Sequence, residues 1–125
     1  MITVKTNQRN ELVDITDIVQ KHVPDEAKAV IVSSPHTTCG VTINDGYDPD
    51  VKSDMLNKLS ELIPKDQSYY QHDEGNSDSH VKTSLVGNAI TIPIEDGQLL
   101  LGQWQTVYLA EFDGPRTRTV HLTFL

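Results

Sequence analysis

The sequence predicts an α+β fold: a compact single domain of mainly antiparallel strands with two or three helices laid against them. Three observations carry that reading. Short β-branched runs with two-residue alternation recur along most of the chain. One stretch alone, residues 48–63, carries an extended helical stripe. The chain has only 125 residues, about half of what a TIM barrel needs, and no internal repeat or Gly/Ser-rich linker divides it. With 37% hydrophobic residues, a real core can form.

Each element has its own local reason. Ile2, Val4 and Thr6 alternate with Thr3 and Lys5, which predicts an opening strand. From Asp14 to Val23 the apolar residues Ile15, Ile18 and Val19 follow helical spacing until Pro24 ends the run. Ala27–Ser34 is β-branched and short, as a buried strand should be. After a turn at Pro35–Thr38, Cys39, Val41 and Ile43 alternate as its partner strand. Asp48 is placed to cap a helix and Pro49 suits its first position. Val51, Met55, Leu56, Leu59, Leu62 and Ile63 then form one stripe, and Pro64 stops it.

Residues 65–80 are polar throughout and predict a long loop, a feature that in compact domains tends to be functional or disordered. Strands then return. Ile90, Ile92 and Ile94 alternate, with Pro93 marking an edge or outer position. Asp96–Gly97 is a hairpin signal leading into Leu99–Leu101. Trp104–Phe112 and Thr117–Leu125 alternate too, joined by the turn Asp113–Gly114–Pro115.

Charge limits the function classes. Ten Lys and Arg against eighteen Asp and Glu give a net charge of −8. Nucleic acid and anionic membrane surfaces both require a basic face, so neither is an expected partner. An anionic substrate must instead meet a local cluster of cations or a metal ion. A single cysteine excludes an intramolecular disulfide. The opening residues lack the apolar run of a signal peptide and no stretch approaches a membrane span, so a cytoplasmic protein is expected.

The chemistry-bearing residues are histidines and scarce cations. His22 and His121 read as ordinary side chains. His36 lies at the tip of the turn between two strands. His72 and His80 bracket the polar segment, with Asp73, Glu74 and Asp78 between them. A neutral imidazole binds zinc, and a neighbouring carboxylate fixes its tautomer, but the seven-residue spacing of His72 and His80 is not diagnostic. Cys39 shares phase with Val41 and Ile43 and reads as a buried, inert thiol. Lys82 would share a side with His80 on a strand and diverge from it by about 200° on a helix. Arg116 and Arg118 are either a phosphate clamp or a pair of solvated charges. Neither a Gly-rich phosphate loop nor a nucleophile elbow is present. The carboxylates around Asp45–Asp50 do not meet EF-hand spacing.

The blocks HTTCGVTIND, DPDVKSDM, HDEGNSDSHVKTSLVG and IPIEDGQLLLGQWQTVYLAEFDGPR resemble, in order, the YjbQ-like family of secondary thiamine-phosphate synthase enzymes. The likeness runs from about residue 30 to residue 120. It implies a β-rich sandwich, a homotrimer with sites near subunit boundaries, and a weak ability to join pyrimidine diphosphate and thiazole phosphate with loss of diphosphate. Matching motif positions are His36, Asn44, His72, Glu74, His80, Lys82, Trp104, Gln105, Glu111 and Arg116. Cys39 stands where the family has Ala or Ser, Gln103 where it has Thr, and Asp45 where it has Glu.

From this the expected site follows. His36, His72, His80, Glu74 and Glu111 would be catalytic, with Glu111 or Glu74 orienting one imidazole. Asn44, Lys82, Gln105 and Arg116 would bind substrate or phosphate. The three histidines would hold a divalent metal, zinc or magnesium, or donate directly; no organic cofactor is expected. Gln105 and Glu111 share strand parity with Val107 and Leu109 between them, suggesting a pocket rim, while Trp104 points the other way, toward core or subunit interface. A transferase acting on small phosphorylated metabolites leads. A metal-dependent hydrolase and a non-catalytic trimeric binding protein are the alternatives.

Overall fold

The computed structural model describes all residues, Met1–Leu125. Eight strands and three helices follow in the order β1 (Ile2–Lys5), β2 (Glu11–Asp14), α1 (Thr16–Lys21), β3 (Ala29–Ser33), β4 (Cys39–Asp45), α2 (Pro49–Leu62), α3 (Ser77–Val86), β5 (Ala89–Glu95), β6 (Gln98–Leu99), β7 (Gln105–Glu111) and β8 (Thr117–Phe124). The strands form two sheets, a five-stranded one ordered β1-β8-β3-β5-β6 and a three-stranded one ordered β2-β7-β4. Every pairing is antiparallel.

The inner faces of the sheets enclose the core. Val30, Val32, Ile92 and Val120 from one sheet meet Val41, Val107 and Leu109 from the other, with Ile15 and Val19 of α1 at one end. Period-two alternation in each strand sends one set of side chains inward, where apolar burial supplies the main driving force. The outer face of the small sheet is covered as well. Tyr108, Ala110, Phe112 and Leu12 pack there against Met55, Leu56 and Leu59 of α2. This double burial explains why both parities of β7 are apolar.

Asp48 caps α2 through a bond from the Asp50 backbone N–H at 2.9 Å, and Pro49 follows it. The stripe predicted there is only partly used, since Leu62 remains 61% exposed. Asp96 and Gly97 both take positive φ, 52° and 76°, the geometry of the two-residue hairpin expected between β5 and β6. Pro93 pairs with Ala29 on one side but lies outside the short β6 ladder, so no ladder bond is lost.

Three local expectations are revised. The strand at Ala29–Ser33 and the strand at Cys39–Asp45 are not partners: β3 pairs with β5 and β8, whereas β4 pairs with β7. Residues 34–38 therefore cross from one sheet to the other. The long polar loop is shorter than predicted, because residues 77–86 form α3. Its polar residues are buried by pairing rather than by apolarity, which hides the helix from any hydrophobic pattern. The strand β2 was hidden too, being four residues long and ending at the first helix.

Candidate functional site

The crossover between the sheets lifts His36 to the seam where β8 passes. There its Nε2 accepts a hydrogen bond from the Thr119 backbone N–H at 2.9 Å. A ring nitrogen that accepts is unprotonated, so in the neutral ring Nδ1 carries the proton and is a donor. Burial, and then the neighbouring Arg118 charge, lower the His36 pKa from its ordinary value. His36 is thus held neutral.

His80 comes to the same place from α3, and His72 from the segment before it. Their rings meet edge to face with centroids 5.4 Å apart, and His72 Nε2 lies 3.8 Å from Glu74 Oε2. Arg116 and Arg118 approach from β8 and the turn before it. Together His36, His72, His80, Glu74, Arg116 and Arg118 line a cavity of about 470 Å³, completed by Thr37, Thr38, Asn76, Asp113 and the ring of Pro35. A second hollow of about 410 Å³ shares His36, Thr37 and His80 and extends to Thr83, Ser84, Gly87 and Asn88.

The guanidinium groups are held from behind. Arg118 is 4% exposed and grips both oxygens of Glu111, with Nε on Oε2 at 2.7 Å and Nη2 on Oε1. Nη2 also reaches Thr38 Oγ1 at 2.9 Å. Arg116 is fixed by the Asp113 backbone oxygen and carboxylate, at 2.8 and 2.9 Å. In each arginine Nη1 bonds to nothing within the chain, leaving one fork edge for a ligand. Burial raises the Glu111 pKa, but bonds from Arg118, Asp113 N–H and Thr6 outweigh it and hold the carboxyl below its ordinary value.

Asn76 is the unexpected member. It stands at the N-terminus of α3, where an Asn side chain usually caps, yet it makes no cap bond. Its amide instead donates to Asp113 Oδ2 at 2.7 Å. Its Oδ1 is the one buried side-chain polar atom without a partner in the chain, an acceptor that a water or a ligand donor would satisfy.

The structure thus brings His36, His72, His80, Glu74 and Arg116 together, and adds Arg118, one of the two arginines singled out by spacing. It places four expected residues elsewhere. Lys82 is 2% exposed and turned away from His80, because both lie on a helix. Its ammonium bonds Asn10 Oδ1 at 3.1 Å and Ser60 Oγ at 3.2 Å, beside Asp78 at 3.6 Å. Burial, opposed by Asp78, lowers its pKa. Glu111 lies beneath the cavity and orients an arginine rather than an imidazole. Asn44 and Gln105 lie at the far end of β4 and β7, since Asp45 pairs with Gln105 while Cys39 pairs with Glu111, about 20 Å along the strand. Val107 and Leu109 between Gln105 and Glu111 fill core, so that row is no pocket rim. Trp104 is half exposed and packs edge-on against Tyr47 at 4.8 Å.

His36 Nε2 is already engaged by Thr119, so a metal would have to be met by its Nδ1; as the side chains stand, no three His, Cys, Asp or Glu groups lie together at ion-holding distance within the chain. Cys39 is fully buried, and burial pushes its thiol up to about 12, so it is not a nucleophile.

The model of the "UPF0047 protein YjbQ-like" family matches residues 1–125. The chain belongs to this family. It is 49% identical over 126 residues to the UPF0047 protein MJ1081 of Methanocaldococcus jannaschii, covering 98% of this chain and 90% of that one. The UPF0047 protein YugU of Bacillus subtilis is 42% identical, with 99% and 96% covered. Among solved structures, a YjbQ/UPF0047-family protein of Clostridium acetobutylicum superposes with a TM-score of 0.94 at 43% identity, covering 99% and 98%. The protein TT1486 of Thermus thermophilus gives 0.93 at 40%, with both chains fully covered. The sandwich that the UPF0047 resemblance implied is therefore the fold of the family. No helix of the chain is long and apolar enough to cross a membrane.

Proposed function

We propose that the cavity binds a phosphorylated small molecule and stabilises a departing diphosphate, the chemistry of a thiamine phosphate synthase-like transferase. The observation that carries this reading is the convergence of Arg116, Arg118 and three imidazoles on one hollow lined mainly by polar side chains. In a chain of net charge −8, such a concentration of donors favours an anion at this place above others.

In the reaction the bond between the pyrimidine methylene carbon and the diphosphate oxygen breaks, and the thiazole nitrogen forms a bond to that carbon. The electron pair leaves with the diphosphate. Preformed donors aimed at the charge that develops there lower the barrier without reorganising. The open Nη1 edges of Arg116 and Arg118 and the Nδ1–H of His36 are such donors, and His72 and His80 add two when protonated. The steps above use this chain's own donors, and the metal-dependent hydrolase alternative would draw its ligands from the same three histidines.

Homotrimeric assembly and a cytoplasmic setting belong to the same proposal. Val81 and Leu85, one turn apart on α3, and the Tyr47–Trp104 pair expose apolar surface suited to contact between copies. Asn44 and Gln105, near that aromatic pair, would reach substrate only from a neighbouring subunit. The single reduced cysteine suits the cytoplasm.

The test is purified protein with both precursors, beside His72→Ala, His80→Ala, Arg116→Ala and Arg118→Lys. Loss of one preorganised donor lowers turnover on the order of a hundredfold. Equal thiamine phosphate output from parent and variants would assign the activity to a contaminating synthase and end this reading. Sedimentation as a monomer would remove the role given to Asn44 and Gln105.

A further inference from the structure

The two hollows meet at His36, Thr37 and His80 but differ in what they offer. The first holds the charged groups. The second carries none besides the shared histidines: Thr83, Ser84, Gly87 and Asn88 complete it. Thr83 Oγ1 is committed to the Ser79 carbonyl at 2.9 Å, whereas the side chains of Thr37, Ser84 and Asn88 form no hydrogen bond within the chain. Thr37, Ser84 and Asn88 are exposed, so their donors and acceptors are open to a ligand. Apart from the ring of Pro35, neither hollow has an apolar side chain in its wall.

That composition selects a ligand class. Sites for aromatic and heteroaromatic groups are normally built from apolar and aromatic side chains, with few polar groups to fix orientation. Here only the polar imidazoles and guanidinium planes could stack on a ring, with no apolar side chain behind them in the second hollow. Hydroxyl groups, which donate and accept at once, match free Thr, Ser and Asn side chains. Asn76 adds an independent argument from the charged hollow. Its Oδ1 is a buried acceptor without a partner, and its orientation is set by the bond from its NH₂ to Asp113. A fully ionised phosphate has no hydrogen to give an acceptor. A ligand carrying hydroxyl hydrogens beside its phosphate has one to give.

We infer that the Thr37–Ser84–Asn88 hollow holds the hydroxyl-bearing part of a phosphorylated polyol, such as a sugar phosphate, while Arg116, Arg118 and His36 hold its phosphate. This rests on the anion site proposed above and deepens it by naming the uncharged portion of the ligand.

Calorimetric titration with four probes tests it: inorganic pyrophosphate, ribose 5-phosphate, benzyl phosphate, and ribose without phosphate. Ribose 5-phosphate is expected to bind about tenfold or more tightly than benzyl phosphate of similar charge, the gain of one or two neutral hydrogen bonds. Free ribose is expected to bind too weakly to detect. The double variant Ser84→Ala/Asn88→Ala, on exposed positions and checked by its melting temperature, should bring the ratio near one. Pyrophosphate binding with no preference for ribose 5-phosphate over benzyl phosphate would overturn the polyol assignment and leave the anion site standing. Failure of every phosphorylated probe would overturn both.

Discussion

Thr119 donates its backbone N–H to Nε2 of His36 across the seam between the crossover segment and β8, at 2.9 Å. Because that nitrogen must stay unprotonated, nitrogen-15 NMR of the ring should report the Nδ1–H tautomer. The His36 titration should fall below its ordinary 6.5, owing to burial and then Arg118. A base whose folded pKa is lowered binds fewer protons folded than unfolded. Its contribution to stability therefore rises with pH between the folded pKa and about 6.5. A titration above 6.5, or an Nε2–H tautomer, would refute this geometry.

The Arg118–Glu111 pair should behave as a buried pair that orients a site. Glu111→Ala strands the Arg118 charge in the interior and is expected to lower stability by about 3–5 kcal/mol, read by urea denaturation. With its folded pKa held below the ordinary 4.5, Glu111 contributes stability that is complete above that value and fades as pH falls through the folded pKa. Pyrophosphate affinity should fall in the same variant, since the free Nη1 edge is no longer aimed. A stability change under about 0.5 kcal/mol, the range of ordinary surface substitutions, would show that the pair is open to solvent.

Lys82 gives the contrasting case. Lys82→Met keeps the volume and is expected to leave pyrophosphate affinity within about twofold of the parent, whereas Arg116→Ala weakens it by about tenfold, the worth of one charge-assisted bond. Lys82→Ala should cost roughly 2–4 kcal/mol of stability through the cavity it leaves. Equal loss of affinity in Lys82→Met and Arg116→Ala would put Lys82 back among the phosphate ligands.

Cys39, with its thiol pushed up to about 12, should resist a disulfide reagent at pH 8 in the native state and react at once in denaturant. Rapid native labelling would mean that the small sheet opens at β4.

Much of the fold was legible because it rests on local periodicity. The alternation of Ile90, Ile92 and Ile94, the cap at Asp48 with Pro49 after it, and the Asp96–Gly97 hairpin each express a local preference that tertiary structure merely used. α3 was not legible, because Asp78, Lys82 and Ser79 are buried through Arg9, Ser60 and the Phe112 carbonyl, partners remote in sequence. For the same reason the motif positions His80 and Lys82 could not be separated until the helix was known.

Composition and spacing alone determined that this is a small acidic α+β domain in which any anion would have to be met by a few local cations or a metal ion, and that histidines of the polar segment were the residues to follow. Only the tertiary structure decided that β3 and β4 belong to different sheets, and hence that the turn between them carries His36 to Arg118 rather than to a hairpin tip in solvent. It also decided that Glu111 serves an arginine and that Asn44 and Gln105 stand at the opposite end. Strand parity tells which face a side chain takes; which end of the sheet meets which helix is fixed by long-range pairing, and that information is not stored in any short stretch of chain.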